Sequence, residues 1–261
     1  MKHYFFKYQG TGNDFILLDD RQNSFPDRDK ALIAKLCDRR FGIGSDGIIL
    51  IKKSDKADFW IDFLNPDASR SFCGNGSRCG VRFAKLLGMM PENHCSFQAL
   101  DGIHEAWLKE DTVKISMKDV KKLEEHELGM FLDTGSPHLI VKRAEGLDKM
   151  DVEKEGSAIR FNETYKKHGV NVNFVSMIDK NHIAIRTFER GVDGETLACG
   201  TGVTAAALAL AAEQGLEAGE IQVKARGGDL SVCFEKDGKG FNAITLEGRA
   251  EEVFCGEMAY E

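Results

Sequence analysis

Apolar residues along the chain fall mostly into short β-branched or aromatic runs that glycine and Asx turns separate, and this pattern predicts strands. The predicted strands lie at 13–19, 47–52, 59–64, 94–99, 104–108, 112–117, 138–143, 171–178, 181–188, 220–225, 229–235 and 241–247. Helical spacing occurs instead at 28–40, 75–87, 151–160 and 201–214. Because strands far outnumber helices, the pattern predicts an α+β fold.

The helix predicted at 201–214 is apolar around nearly its whole circumference, as its sequence VTAAALALAAE shows. A helix of this kind is buried on most sides. We therefore expect a β-sheet or barrel to wrap around it. By analogy, the helix at 75–87 takes the same central place in the first half of the chain.

The two halves of the chain carry the same features in the same order. Cys199 follows Cys73 by 126 residues, and each cysteine precedes a Gly-x-Gly turn that begins a helix. Gly135 follows Gly12 by 123 residues, with GNDFILL and GSPHLIV after them. Such nearly constant spacing predicts a duplicated fold of two pseudo-symmetric domains.

We expect the domains to comprise residues 1–119 and 120–249, joined within the charged segment 118–130. Residues 250–261 are a candidate segment returning to the first domain. Pseudo-twofold symmetry places equivalent residues on opposite sides of a shared cleft. The expected active site therefore lies in an interdomain cleft, with Cys73 and Cys199 facing one another.

Composition narrows the class of partner. The net charge is −7 and the basic residues are scattered, so the chain has no basic footprint for nucleic acid, and we expect a small-molecule substrate. No apolar run approaches the 18 residues of a membrane helix, and the first residues lack the apolar region of a signal peptide. We expect a cytoplasmic protein without a membrane partner. A homodimer is one candidate assembly.

Cysteine spacing limits the chemistry. The seven cysteines form no CxxC pair and no Cys/His grouping with zinc spacing, so no metal site is expected. An odd number in a chain without secretory features favours reduced thiols over a disulfide framework. Five of them lie in apolar surroundings and are interpreted as packing residues: Cys37, Cys79, Cys95, Cys233 and Cys255.

Cys73 and Cys199 are different because each stands before a glycine-rich turn at a predicted helix N-terminus. Unpaired N–H groups and the helix dipole favour a thiolate at such a position. A thiolate and a thiol on opposite faces of a carbon can invert its configuration, since one removes a proton and the other supplies one. This reaction needs no metal or redox cofactor. The turn amides can hold a substrate carboxylate.

Several stretches together resemble the diaminopimelate epimerase family over essentially the whole chain. They are KYQGTGNDFILLD, FGIGSDG, NPDASRSFCGNGSRC, TGSPHLIV, GVNVNF and FERGVDGETLACGTG. The resemblance implies a PLP-independent isomerase without a cofactor, which interconverts LL- and meso-diaminopimelate in lysine and peptidoglycan precursor biosynthesis.

The resemblance also implies the site residues. Cys73 and Cys199 match the catalytic cysteines, and His138 and Glu189 match polar residues that assist at the reacting centre. The implied substrate-binding residues are Asn13, Asn65, Gly74, Asn75, Asn171, Glu189, Arg190, Gly200 and Thr201. Arg190 suits a carboxylate through bidentate hydrogen bonds, and Glu189 can accept from an ammonium group.

Two positions depart from the family pattern. Ala68 stands where the turn after Asn65 usually has glycine, which concerns the shape of that loop. Ser136 stands where many members have asparagine, and its shorter side chain reaches less far toward a substrate.

Three alternatives remain open from the residues. The first is another racemase of the two-cysteine superfamily, acting on proline, hydroxyproline or histidine. Arg190, Asn65 and Asn171 favour a substrate with a second carboxylate. The phenazine-assembly isomerase is disfavoured because it lacks the paired cysteines. The last is a redox sensor whose two thiols form a disulfide, which would not exchange a substrate α-hydrogen with solvent.

Overall fold

The computed structural model describes residues 2–259. Its strands are β1 (Lys2–Gly10), β2 (Asn13–Asp19), β3 (Gly47–Lys52), β4 (Phe59–Leu64), β5 (His94–Ala99), β6 (Gly102–Leu108), β7 (Thr112–Ser116), β8 (Glu124–His126), β9 (Gly129–Asp133), β10 (Pro137–Lys142), β11 (Asn171–Asp179), β12 (His182–Glu189), β13 (Gly194–Thr196), β14 (Ala218–Ala225), β15 (Gly228–Asp237), β16 (Gly240–Arg249) and β17 (Glu251–Ala259). Its α-helices are α1 (Lys30–Cys37), α2 (Gly74–Leu86), α3 (Val152–Arg160) and α4 (Gly200–Gln214), with a short 3-10 helix at Leu147–Lys149.

The chain folds into two compact units. Unit 1 contains the residues up to Ile115 together with those from Gly248 onward, and unit 2 contains Ser116–Glu247. Within residues 2–259, no helix is long and apolar enough to cross a membrane.

In unit 1 the strands pair in the order β17, β1, β2, β3, β4, β5, β6, β7. From β1 onward the pairings alternate between antiparallel and parallel as far as β5, and the last two are antiparallel. Helix α2 contacts β1, β2, β3, β4 and β6, so the sheet wraps around it.

Unit 2 repeats this pattern with different residues. The order is β8, β9, β10, β11, β12, β14, β15, and the pairings from β9 to β15 again alternate between antiparallel and parallel. Helix α4 contacts β9, β10, β11, β12, β14 and β15. The predicted α+β fold, with a sheet around a central helix in each half, is therefore confirmed.

A second helix covers the outer side of each sheet. In unit 1, Ile33 and Leu36 of α1 join a buried cluster with Ile48 and Leu50 of β3. All six residues of β3 are buried, because α2 lies on one face of the sheet and α1 on the other. In unit 2, Val152 of α3 lies in the equivalent cluster.

All twelve predicted strands and all four predicted helices are present, with ends that differ by a few residues. Five strands were not predicted: β1, β8, β9, β13 and β17. β1 and β17 pair with each other although they lie at opposite ends of the sequence. β8 and β9 lie in or next to the charged segment expected to join the domains, which thus forms a short hairpin.

The packing interpretation holds for three of the five cysteines. Cys37, Cys79 and Cys95 are buried, whereas Cys233 is only half-buried and Cys255 is exposed. For Cys255 the interpretation was wrong, because β17 leaves most of its side chains in solvent.

Candidate active site

Cys73 and Cys199 are the N-cap residues of α2 and α4. Their backbone angles are nearly the same, with φ −131° and ψ 109° at Cys73 and φ −112° and ψ 110° at Cys199. The sequence prediction that each cysteine precedes a helix is confirmed. Since the first amides of a helix lack a helical acceptor, each cysteine precedes N–H groups that can bind an anion.

Around Cys73 the first turn of α2 is buried. The backbone N–H of Gly76 lies 3.4 Å from Cys73 Sγ and donates to it. Asn75 is 2% exposed, and its side-chain amide donates to Oδ1 of Asn13 at the start of β2. Asn13 Nδ2 donates to Asp46 Oδ2 over 3.0 Å. The structure thus brings Asn13 and Asn75 together in the first turn after Cys73.

Asn65 begins the loop that leads from β4 to Cys73. Its Nδ2 lies within hydrogen-bond distance of Ser69 Oγ and Ser71 Oγ, at 3.1 Å each. Ala68 in this loop has φ +65°, in the left-handed region where glycine has no steric penalty. This backbone explains why glycine would be usual there. The loop keeps the required turn without it.

Around Cys199 a different set of side chains meets. Cys199 Sγ lies 3.4 Å from Thr201 Oγ1, and Thr201 Oγ1 lies 2.9 Å from Nε2 of His138 on β10. Thr134, in the turn before β10, donates from its hydroxyl to the Thr201 carbonyl over 2.9 Å. His138 is fully buried and Cys199 is 7% exposed.

Asn173 on β11 sets the tautomer of His138, and sequence reasoning did not find it. The amide nitrogen of Asn173 faces the carbonyl oxygens of Leu139 and Asn171 at 3.3 Å each, which fixes the orientation of the amide. This nitrogen lies 3.1 Å from His138 Nδ1, and Asn173 Oδ1 accepts from Thr187 Oγ1 at 2.9 Å. Nδ1 is then the acceptor and Nε2 carries the hydrogen, which it donates to Thr201. The hydroxyl of Thr201 can in turn donate to Cys199.

His138 is uncharged at neutral pH. Burial, together with the nearby positive charge of Arg190, lowers the pKa of His138 to about 3. Asn173 could have been found from the NVN pattern in the sequence, because Asn171 and Asn173 share one face of β11. The parallel register opposes His138 to Asn171.

The residues of unit 2 that are predicted to bind substrate also lie near His138. Asn171 is 3% exposed, and its Oδ1 accepts from the backbone N–H of Arg190 at 2.8 Å. Its Nδ2 donates to Ser136 Oγ over 2.8 Å, and Arg190 Nη2 lies 3.5 Å from the same oxygen. Ser136 therefore orients two of these residues. Glu189 is the last residue of β12, half-buried, directly before Arg190.

Gly202 allows α4 to approach this cluster. A Cβ atom there would lie 2.4 Å from Asn173 Oδ1 and 3.3 Å from His138 Cε1. Any larger residue would push the helix or the amide away.

A separate cavity of about 630 Å³ lies in unit 2, lined mainly by apolar residues that include Met130, Ile140 and Leu210. None of the predicted site residues lines it. Leu210 is eleven residues after Cys199, about 16 Å along α4. Among residues 2–259, no group of three His, Cys, Asp or Glu side chains could hold a metal ion.

The fold is similar to those of two solved structures. A phenazine biosynthesis protein of the PhzF family from Bacillus anthracis matches with a TM-score of 0.75 and 16% identity, and 100% of both chains is covered. A probable proline racemase from Agrobacterium radiobacter matches with a TM-score of 0.71 and 16% identity, covering 99% of this chain and 93% of that chain. At such low identity, the likeness defines the class of fold.

Sequence similarity is much closer to one family within that class. The model of the diaminopimelate epimerase family matches residues 5–123 and 130–253. The diaminopimelate epimerase of Flavobacterium psychrophilum is 46% identical over 251 residues, which cover 95% of this chain and 97% of the relative. The chain belongs to the diaminopimelate epimerase family.

Proposed function

We propose that the protein interconverts LL- and meso-diaminopimelate by two-base proton transfer, with Cys73 and Cys199 as the thiolate and thiol pair. Membership of the diaminopimelate epimerase family makes it an isomerase. The observation that carries the mechanism is the shared geometry of the two cysteines. Each is the N-cap residue of a helix with nearly the same backbone angles. The sulfur of Cys73 also accepts from the Gly76 N–H of the first turn.

The reaction conserves protons. The thiolate takes the α-proton, so the Cα–H bond breaks and an S–H bond forms. The other thiol gives its proton to the opposite face of the carbon and becomes the thiolate. One turnover therefore leaves the protein with the same number of protons and with the roles of the sulfurs exchanged. Neither electrons nor a cofactor take part.

Negative charge on the reacting α-carboxylate grows as the proton leaves, and backbone amides at helix N-termini can stabilise it. We assign this part to the turns Gly74–Asn75 and Gly200–Thr201. Arg190 suits the distal carboxylate, and Glu189 suits an ammonium group of the substrate.

Neutral amide side chains complete the proposed binding set. Asn13, Asn65 and Asn171 each offer a donor and an acceptor for the polar groups of an amino-acid substrate. His138, neutral and bonded to Thr201, assists by polarising the hydroxyl beside Cys199. We also propose that units 1 and 2 are the two epimerase halves and that the enzyme works in the cytoplasm.

The test is to incubate the reduced protein with LL-diaminopimelate in deuterium oxide and to follow stereochemistry and α-deuterium by chiral chromatography with mass detection. We expect meso-diaminopimelate with deuterium at the inverted carbon. Cys73→Ala and Cys199→Ala should each lower the rate by at least about 100-fold, because each removes one proton-transfer group. Cys255→Ala, at an exposed cysteine, is the matched control and should keep its activity.

Absence of inversion by folded, reduced protein would contradict the proposal. The same assay with proline, hydroxyproline and histidine would then show whether the two-thiol chemistry acts on another amino acid. If no amino acid exchanged its α-hydrogen, a redox role for the thiols would be favoured.

A further inference from the structure

The fully buried guanidinium of Arg78 is a charged group with no part in the reaction proposed above. Arg78 lies in the second turn of α2, five residues after Cys73, and is 0% exposed. Its Nη2 atom donates to Thr11 Oγ1 and, over 2.9 Å, to Asn75 Oδ1. Its Nη1 atom lies 3.5 Å from the Gly74 carbonyl oxygen. All these acceptors are neutral.

A buried cation without an anion is costly, because it loses its hydration and gains no compensating ion pair. Within residues 2–259 no carboxylate pairs with Arg78, and its Nε atom has no hydrogen-bond partner. Burial lowers the pKa of Arg78 to about 10, so the group still carries its charge at neutral pH. The side chain therefore holds a full positive charge beneath the first turn of α2.

The other mostly buried titratable groups of α2 and its neighbouring strands already have partners or stay neutral. Lys7 pairs with Asp14 at 2.6 Å, and Lys52 pairs with Asp62 at 2.9 Å. The hydroxyl of Tyr8 bonds Glu252, and the His104 ring bonds Asp101. Burial raises the pKa of Cys79 to about 12, which keeps that thiol neutral. Arg82, less buried, donates to the Glu110 carbonyl.

Two thiols, Cys79 and Cys73, lie within electrostatic range of Arg78. The contact of Arg78 Nη1 with the Gly74 carbonyl places the guanidinium beside the residue that follows Cys73, and Cys79 stays neutral. We propose that Arg78 is the buried counter-charge that stabilises the Cys73 thiolate, and that its bond to Asn75 also fixes the amide facing Asn13. Arg78 is thus a positioning residue for the proposed epimerisation, and this role rests on the proposed function. The hydrogen-bond partners of Arg78 are Gly74, Thr11 and Asn75, so we expect it to act through charge and through Asn75.

The second half of the chain supports this assignment by contrast. Thr204 stands 126 residues after Arg78, the spacing that separates the two cysteines. Its hydroxyl donates to the Gly200 carbonyl over 3.0 Å, the counterpart of the Arg78 contact with Gly74. The duplicated turn therefore folds with a small neutral residue at this place. The positive charge in unit 1 has a role other than closing the turn.

The test measures the reactivity of each thiol without any substrate. Wild-type protein, Arg78→Met and Arg78→Lys are treated with iodoacetamide from pH 5 to pH 10, and each cysteine is followed by peptide mass mapping. We expect Arg78→Met to raise the midpoint of the Cys73 profile by about one pH unit or more and to slow its alkylation at pH 7 about tenfold. Arg78→Lys keeps the charge and should stay near the wild-type midpoint.

Three internal readings make the result specific. Cys199 and the exposed Cys255 should keep their rates, and Arg82→Met, which removes a guanidinium from the same helix, should leave Cys73 unchanged. Buried Cys79 reports local unfolding, because it becomes reactive only if α2 opens. A Cys73 midpoint in Arg78→Met within about 0.3 pH units of wild type, with Cys79 protected, would overturn the proposal.

If Arg78→Met exposes Cys79, its α2 helix has opened, and the Cys73 midpoint of Arg78→Lys is the test instead. A folded Arg78→Lys protein whose Cys73 midpoint rises by a unit or more would also overturn the proposal. The alkylation result does not depend on diaminopimelate turnover. Failure of the epimerase assay and failure of the Arg78 assignment are therefore distinguishable.

Discussion

The first turns of α2 and α4 have almost the same backbone, yet the side chains around their cysteines differ in kind. At α2 the buried guanidinium of Arg78 donates a hydrogen bond to Asn75 Oδ1. At α4 a chain of neutral groups runs from Asn173 through His138 and Thr201 to the sulfur of Cys199. Duplication has therefore preserved the turn, and the chemistry beneath it has diverged.

Two turns of nearly the same backbone thus hold their thiols in different electrostatic surroundings. A full positive charge stabilises a thiolate more strongly than neutral dipoles do. A chain of neutral hydrogen-bonding groups can donate to a thiolate or accept from a thiol, so it does not fix the charge of the sulfur. On the role proposed for Arg78, unit 1 favours the thiolate of Cys73 before substrate binds. Two-base inversion needs one thiolate and one thiol at a time, since two thiols or two thiolates cannot both remove and supply a proton, and the two directions of the reaction start from opposite assignments.

The largest predicted effect comes from making the second half resemble the first. Phe15 occupies in β2 the place that His138 occupies in β10, 123 residues later. His138→Phe should lower kcat by at least about 100-fold, because it removes the donor to Thr201 and any help in proton transfer. Steady-state kinetics with a thermal melt would check it. His182→Phe, the same change elsewhere in unit 2, should keep the activity; equal losses in both variants would refute the neutral-chain role.

A smaller effect should follow from the equivalent glycines Gly76 and Gly202. Gly202→Ala should lower the free energy of unfolding by about 1–3 kcal/mol, since its Cβ would overlap the amide of Asn173. At Gly76 a Cβ would meet Ile49 Cδ1 at 3.2 Å and Cys73 Sγ at 3.5 Å, so Gly76→Ala should stay within about 1 kcal/mol of wild type. Urea titrations of both variants give the comparison, and similar losses would contradict it.

A further predicted effect is a difference in acid sensitivity between the two units. The pKa of His138 is about 3 in the folded protein, below its ordinary value near 6.5, so the unfolded chain binds that proton first. The free energy of unfolding of unit 2 should therefore fall as the pH drops from about 6.5 toward 3, by up to about 1.4 kcal/mol per pH unit.

In unit 1 the nearest counterpart is Asp14. Its burial raises the carboxyl pKa, but hydrogen bonds from Arg39 and Lys7 outweigh burial and lower it to about 2. This contribution is complete above about pH 3.8 and is lost only toward pH 2. Both tryptophans, Trp60 and Trp107, lie in unit 1, so their fluorescence reports that unit.

Hydrogen exchange of α4 peptides reports unit 2. Between pH 7 and pH 5, after correction for intrinsic exchange, α4 should lose protection while the tryptophan signal in urea moves little. His138→Phe, which has no group to protonate there, should remove the loss in α4. Unchanged protection in wild-type α4 would show that His138 does not control acid stability.

Much of the fold could be predicted because it depends on local patterns. Runs such as those at 47–52 and 171–178 combine β-branched residues with turn-forming neighbours, and the apolar helix at 201–214 could only be a central one. β1 and β17 could not be predicted this way. Their pairing joins opposite ends of the sequence, and most of the β17 side chains are exposed and give no buried periodicity.

For the candidate site, the residues proposed to carry chemistry could be named from the sequence. The repeated Cys-Gly-x-Gly turns located both thiols at helix N-termini, and the motifs around them indicated the family. Tertiary structure alone decided which neutral or charged groups lie beneath each turn. Arg78, Asn173 and Thr134 act through burial and through partners distant in sequence, and a buried charge or a fixed tautomer exists only once those partners have packed together.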